Sequence, residues 1–244
     1  MVHNDSEWKI VQDVGENALR ETIYACQSLE RLPGGRINFT FRNQLAAPIE
    51  GWSASFVVKM TEDKLKVEKP TGKEFTLHRT RSYYEHQVLS HQIPSFWSSN
   101  AQDGSASIVV RVPEVLQYFP GDHIQIIEDL PNTSTLKAHL LNKYFEPAFA
   151  YACGRAVGSW AVKFHGWGRH LDQEGLRGIL STYKEAGIFK FSLSCGRLDA
   201  TIAKFPELPG SRKTLFKQVS ERISAITHRD ADVGIIHGDF WPGK

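Results

Sequence analysis

The run Val233-Gly234-Ile235-Ile236-His237-Gly238-Asp239-Phe240-Trp241-Pro242-Gly243-Lys244 holds the residues best suited to chemistry. The apolar approach from Val233 to Ile236 delivers His237-Gly238-Asp239 into a loop. An aspartate placed there can accept a hydroxyl proton and orient the attacking oxygen. Four further features precede it in order. Pro33-Gly34-Gly35 separates two strand-like runs, and glycines let backbone N–H groups approach phosphate oxygens; a plain hairpin turn would use the same residues. Lys59 ends the apolar strand SFVVK, where it needs a phosphate or carboxylate partner unless the strand is an exposed edge. Glu85, in RSYYEHQVL, can reach in to Lys59 and hold its ammonium on a nucleotide; a solvated helix face is the plainer alternative. Ile126-Ile127-Glu128-Asp129-Leu130 ends a strand, and its extended backbone offers hydrogen bonds to a flat base, or is simply a polar linker.

The elements that must position these residues follow from periodicity. Ile10, Val14, Leu19 and Ile23 recur at roughly helical spacing, so residues 1–25 read as a helical segment. Ser28–Leu32, Asn38–Arg42 and Ala54–Met60 read as strands of a meander. Residues 73–92 read as a helix burying Phe75, Leu77, Tyr84, Val88 and Leu89. Ser95–Gly104 is polar and reads as a loop. Val115–Phe119 and His123–Ile127 read as strands joined by Pro120-Gly121-Asp122. Helical spacing then dominates, at Glu146–His165 and at Ser211–Arg229, with Ser211 as the expected N-cap. A strand-rich half followed by a helical half predicts an α+β fold in two lobes, joined near Glu128–Asn132.

Composition narrows the class. The net charge is +2, with 29 basic and 27 acidic residues, 41% hydrophobic and 11% aromatic. This balance argues against a nucleic-acid binder, which concentrates basic charge on one face. Lys59–Lys69 also contains Glu62, Asp63 and Glu68 and reads as a solvated mixed-charge surface. Cys26, Cys153 and Cys195 have neither disulfide-framework nor zinc spacing. With no secretory leader and no run of about 18 apolar residues, the expectation is a cytoplasmic protein without a membrane partner.

Taken together, the segments LERLPGGRINFTFR, SFVVKM, YYEHQVL, IQIIEDL, GRAVGSWAVKFHGWG and VGIIHGDFWPGK resemble the aminoglycoside phosphotransferase family, the small-molecule branch of the protein-kinase-like fold, and most of all its fungal members. The resemblance implies a β-rich N-lobe over residues 26–130 and a partial helical C-lobe over 131–244. It implies ATP as cofactor with Mg²⁺, and a small-molecule hydroxyl as phosphate acceptor. Gly34, Gly35 and Asn38 would belong to the loop over the ATP phosphates. Lys59 would contact those phosphates with Glu85 as its ion-pair partner. Ile127, Glu128, Asp129 and Leu130 would form the hinge that receives adenine. Asp239 would be the catalytic base and His237 would shape its loop.

The chain departs from that pattern at Lys244. The family's loop reads HGD-x-x-x-x-N, and the Asn binds Mg²⁺ through its amide oxygen. An ammonium has no lone pair to offer a cation. The metal-binding aspartate of a following strand does not occur within these 244 residues, nor do further C-lobe helices. The expectation is therefore a chain truncated at the catalytic loop, with weak or absent phosphoryl transfer. Uncovered helix faces would favour self-association or a covering partner. A catalytically dead nucleotide-binding module is the rival to a working kinase. A metal-dependent hydrolase has less support, because His165 and His170 lack an HExxH context.

Overall fold

The computed structural model describes residues 5–32, 38–61, 64–68, 74–98, 107–130, 132–142, 146–193, 198–202, 204–205, 207, 210–226 and 234–237. The first helix, α1 (Asp5–Leu19), leads into β1 (Cys26–Arg31), β2 (Phe39–Leu45) and β3 (Ser55–Met60). A hairpin of β4 (Lys64–Glu68) and β5 (Glu74–His78) precedes α2 (Arg81–Leu89). A second hairpin, β6 (Phe96–Ser98) and β7 (Ile108–Val110), precedes β8 (Val115–Phe119) and β9 (Ile124–Glu128). The rest is helical: α3 (Leu136–Asn142), α4 (Pro147–Arg169), α5 (Glu174–Ser181), α6 (Lys184–Leu193), α7 (Leu198–Ile202) and α8 (Gly210–Ile226). The chain is thus α+β, a sheet region followed by helices, compatible with a kinase-like fold.

The main sheet runs β1-β2-β3-β9-β8, with every neighbouring pair antiparallel. Side chains alternate faces along a strand, so β2 sends Phe39, Phe41, Asn43 and Leu45 to one side and Thr40, Arg42 and Gln44 to the other. Phe56, Val58, Met60, Ile124 and Ile126 join the first set as a closed core. Each buried Phe there contributes roughly 2–3 kcal/mol by leaving water. Helix α1 covers this face through Trp8, whose ring stands edge-on to Phe39 and Phe41 at 4.8 and 5.2 Å. Gly15 permits the close approach, because a Cβ there would meet the Met60 sulfur at 2.8 Å.

A second core lies in the helical part. Ala156, Trp160, Phe164 and Gly168 are buried at four-residue spacing along α4. Trp160 and Phe164 cluster with Leu176 of α5 and with Ile235, and the β6–β7 hairpin packs on the same helix through Phe96 and Val110. Trp160 donates its indole N–H to the Pro94 carbonyl at 2.8 Å.

Five sequence expectations are corrected. Residues 74–78 are a strand, because β5 pairs with β4 from Lys64↔His78 to Glu68↔Glu74; only Arg81–Leu89 is helical. Phe96–Ser98 of the expected loop is a strand paired with Ile108–Val110. Ile23 lies beyond α1, which ends at Leu19, and Ile10 and Val14 are exposed, since α1 buries Trp8, Gly15 and Leu19 instead. His123 lies in the turn before β9, at φ 54°, and not in the strand. Ser211 falls inside α8, which already begins at Gly210.

Candidate functional site

The second face of the sheet carries Thr40, Arg42, Val57, Lys59 and Ile127, all half-buried. Antiparallel register places Thr40 and Gln125 beside Lys59, and Arg42 and Ile127 beside Val57. This is the surface a flat ligand would meet. Helix α2 lies over its β8–β9 end, where the buried Gln125 amide donates to the Ser82 carbonyl at 2.8 Å. One turn on, α2 presents Glu85 to Lys59, and the ammonium bonds both carboxylate oxygens, at 2.5 and 2.6 Å. The pair is partly open to water, with 19% and 37% of the two side chains exposed. A lysine so held is oriented without being enclosed, and it can offer its remaining donor to an anion.

Helix α2 is anchored on two sides. Ser82 Oγ lies 2.9 Å from His123 Nδ1 and 3.1 Å from the Tyr118 hydroxyl, which ties the helix to β8 and the turn before β9. Toward the helical part, Tyr84 stacks on Tyr183 at 4.3 Å, and its hydroxyl lies 3.0 Å from Thr182 Oγ1. Burial, with smaller help from the Glu185 charge, pushes Tyr183 up to about 12, so it remains a neutral stacking partner across the physiological range.

At the end of β9 both acidic side chains are taken up by arginines. Asp129 is 2% exposed at its side chain, accepts from Arg42 at 2.8 and 3.2 Å, and accepts from Ser55 Oγ at 2.6 Å. The bond from Asp129 holds the Arg42 guanidinium above its ordinary pKa. Glu128 receives both Arg111 nitrogens, at 2.5 and 2.6 Å, and this bond chiefly lowers its pKa. Ile127 is half-buried and Leu130 is 39% exposed. What this segment can offer a flat base is therefore backbone and aliphatic surface, not carboxylates.

Asn38 immediately precedes β2, and its side-chain oxygen accepts from Thr61 and Arg81. Residues 234–237 run against the C-terminal end of α4, where Ile235 is buried and His237 exposed. Gly168 makes this approach possible: a Cβ there would lie 2.9 Å from Ile235 Cβ and 3.0 Å from its carbonyl oxygen. Gly34, Gly35, Asp239 and Lys244 lie outside the described residues, as do Cys195 and residues 99–104 of the expected loop. The structure thus brings Lys59 and Glu85 together, places Ile127–Leu130 at the neighbouring strand's end, and leaves His237 on a separate segment.

Sequence reasoning missed Arg42, Ser55, Arg81, Ser82, Arg111, Tyr118, His123 and Tyr183. Their partners lie 17 to 98 residues away in several cases, as for Glu128 with Arg111 and Tyr84 with Thr182, so no local spacing marks them. A cavity of about 390 Å³ beside Leu130 is lined by Ile108, Val110, Leu136, Cys153 and Val157. Neither Lys59 nor Glu85 lines it, so it is distinct from the surface described above. Among the described residues there is no cluster of three or more potential metal ligands, and no helix is long and apolar enough to cross a membrane.

Comparison with known proteins places phosphotransferases among the relatives. The chain is 27% identical over 234 residues to the phosphotransferase FrzJ of a Cladobotryum species, across 91% of this chain and 60% of that protein. It is 32% identical over 146 residues to a 4-hydroxytryptamine kinase of Psilocybe cyanescens, covering 59% of this chain and 38% of the relative. The 4-hydroxytryptamine kinase of Psilocybe cubensis is 28% identical over 142 residues, covering 58% and 37%. The chain therefore spans less than two thirds of these relatives' lengths. No family model matches it. Its relatives are kinases and phosphotransferases at modest identity.

Proposed function

We propose that this chain binds ATP on the Lys59 face of its sheet and belongs to an ATP-dependent phosphotransferase acting on a hydroxyl group of a small molecule. The fold would be the two-lobed, protein-kinase-like one of the aminoglycoside phosphotransferase family, with the N-lobe over residues 26–130 and the C-lobe over 131–244. The observation that carries the reading is the contact between the Lys59 ammonium and both Glu85 oxygens. A surface ion pair is worth only about 0.2–1 kcal/mol to stability. The arrangement of buried strand, covering helix and half-open ammonium makes better sense as a phosphate handle.

In this reading Lys59 neutralises phosphate oxygens and Glu85 fixes its direction. Val57 and Ile127 supply an apolar bed for the base, while the backbone of residues 127–130 offers its hydrogen bonds. Asp239 would take the acceptor's proton as its hydroxyl oxygen bonds the γ-phosphorus and ADP leaves with the bridging oxygen, and His237 would shape that loop. Phosphoryl transfer depends mainly on positioning and charge neutralisation, and bound Mg²⁺ ordinarily supplies much of the latter. Lys244 does not fit that ion: it stands where the family has its ligating Asn, and its ammonium has no lone pair. Nucleotide binding is accordingly the part of the function that this chain's described residues support best, and transfer by these residues alone would be weak. The names of the Psilocybe relatives make hydroxyindole amines reasonable first acceptors to try.

A thermal-shift titration with ATP, for the native chain and for Lys59→Met, tests the binding part. The native chain should rise in Tm at millimolar ATP and the variant should not, because a ligand that binds only the folded state stabilises it by mass action. Equal shifts in both, or none in either, would contradict it. Transfer is checked separately, by following radiolabelled γ-phosphate onto a panel of phenols and alcohols.

A further inference from the structure

We propose that Gln125 is a positioning residue for Lys59, setting helix α2 over the sheet so that Glu85 meets the ammonium. This inference rests on the ATP-binding reading above and deepens it. Gln125 is 1% exposed, and its amide nitrogen donates to the Ser82 carbonyl at 2.8 Å. In the antiparallel register of β3 and β9 it stands directly opposite Lys59, so the two side chains leave neighbouring strands on one face. Ser82 and Glu85 are three residues apart on α2, which puts them on one face of that helix. Sheet and helix are thus joined by two links side by side, Gln125 to the Ser82 carbonyl and Lys59 to both Glu85 oxygens.

The amide link holds α2 in the register that the ion pair needs. Helical carbonyls point along the axis, so a side-chain donor fixed on one resists sliding of the helix. The rise is about 1.5 Å per residue, and a slip of that size would carry Glu85 out of hydrogen-bond range of Lys59. The Ser82 hydroxyl is a separate anchor. It donates to the Arg79 carbonyl at 2.8 Å, which leaves it to accept from Tyr118 at 3.1 Å and His123 at 2.9 Å. That anchor and the stacking of Tyr84 on Tyr183 keep α2 docked without Gln125, but the amide alone comes from the residue opposite Lys59. Stability does not account for the amide. Among the described residues its Oε1 is buried with no hydrogen-bond partner, and an unmet buried acceptor weighs against folding. Methionine, unbranched and of similar length, would fill the space without that oxygen.

Calorimetric titrations of ATP and of adenosine into the native chain, Gln125→Met, Glu85→Gln and the double variant test the inference, with Tm measured for each. Gln125→Met should bind ATP about tenfold more weakly, with a Tm no more than about 2 °C lower. Adenosine, which has no phosphates for the ammonium to hold, should stay within about twofold. In the Glu85→Gln background the same change should weaken ATP less than about twofold, since a residue acting through Glu85 has nothing left to position. Unchanged ATP affinity in Gln125→Met, or a full further loss in the double variant, would overturn the positioning role. So would an equal loss for both ligands with a falling Tm, as a merely structural residue would give. Should Gln125→Met fail to fold, Gln125→Asn, whose amide is one methylene shorter, carries the same comparison. A native chain that binds neither ligand would overturn the ATP-binding reading itself, and this inference with it.

Discussion

Lys59 and Glu85 face water enough to exchange partners, whereas Asp129 does not. That difference predicts opposite outcomes for substitutions of similar size. Glu85→Gln leaves a partly solvated lysine and should cost less than about 1 kcal/mol of stability while weakening ATP binding, checked by urea unfolding and titration. Arg42→Ala strands a buried carboxylate that keeps the hydrogen bond from Ser55, and should cost roughly 3–5 kcal/mol. His86 adds a pH dependence. Its ring stacks on Tyr118 at 4.5 Å, and burial lowers its pKa from 6.5. The unfolded chain then binds this proton more readily than the folded one. The resulting stability is complete above pH 6.5 and declines below it, until the folded ring also takes its proton. Thermal unfolding between pH 5 and 8 should show this decline, and His86→Gln should flatten it. Lys59, Glu85 and the 127–130 segment were legible as candidates because their types are unusual at strand ends and on an apolar helix. Arg81 was not, since an arginine at a helix start reads as solvated until Asn38, just before β2, is brought across to it.

At the scale of elements, the strands of the main sheet were readable because two-residue alternation survives in Phe39–Leu45 and Ser55–Met60. Residues 74–78 were misread for a physical reason: Leu77, Tyr84 and Val88 happen to fall at helical spacing, and no Gly or Pro separates them. Pairing with Lys64–Glu68 decides the matter, and pairing is a non-local property. The rotation of α1 was likewise set by Trp8 docking on two phenylalanines, not by the spacing of Ile10 and Val14. Helix α4 was found because Ala152, Ala156, Trp160 and Phe164 recur every fourth position. Its Gly168 yields a further prediction. Alanine there would press against Ile235 backbone, which cannot rotate away as a side-chain tip could. Gly168→Ala should cost about 1–3 kcal/mol and displace residues 234–237, a shift that amide exchange at Ile235 and His237 would report.

At the scale of the whole molecule, two separate apolar clusters build the chain, one between α1 and the sheet and one around α4. Helix α2 touches the sheet through Ser82 and α5–α6 through Tyr84, so Glu85 is held from both sides. The α+β order was visible in the switch from two-residue to helical periodicity after residue 130. Partnerships across the two clusters, such as Tyr84 with Tyr183, exist only once both have formed. The central claim is that ATP sits on the sheet face opposite α1, beside Lys59 and the 127–130 segment. Hydrogen–deuterium exchange of the chain with and without millimolar ATP tests it most directly. Slower exchange in residues 55–60, 81–89 and 124–130, lost in Lys59→Met, is the predicted result. No change on adding ATP, or protection confined to the α4–α8 helices, would contradict it.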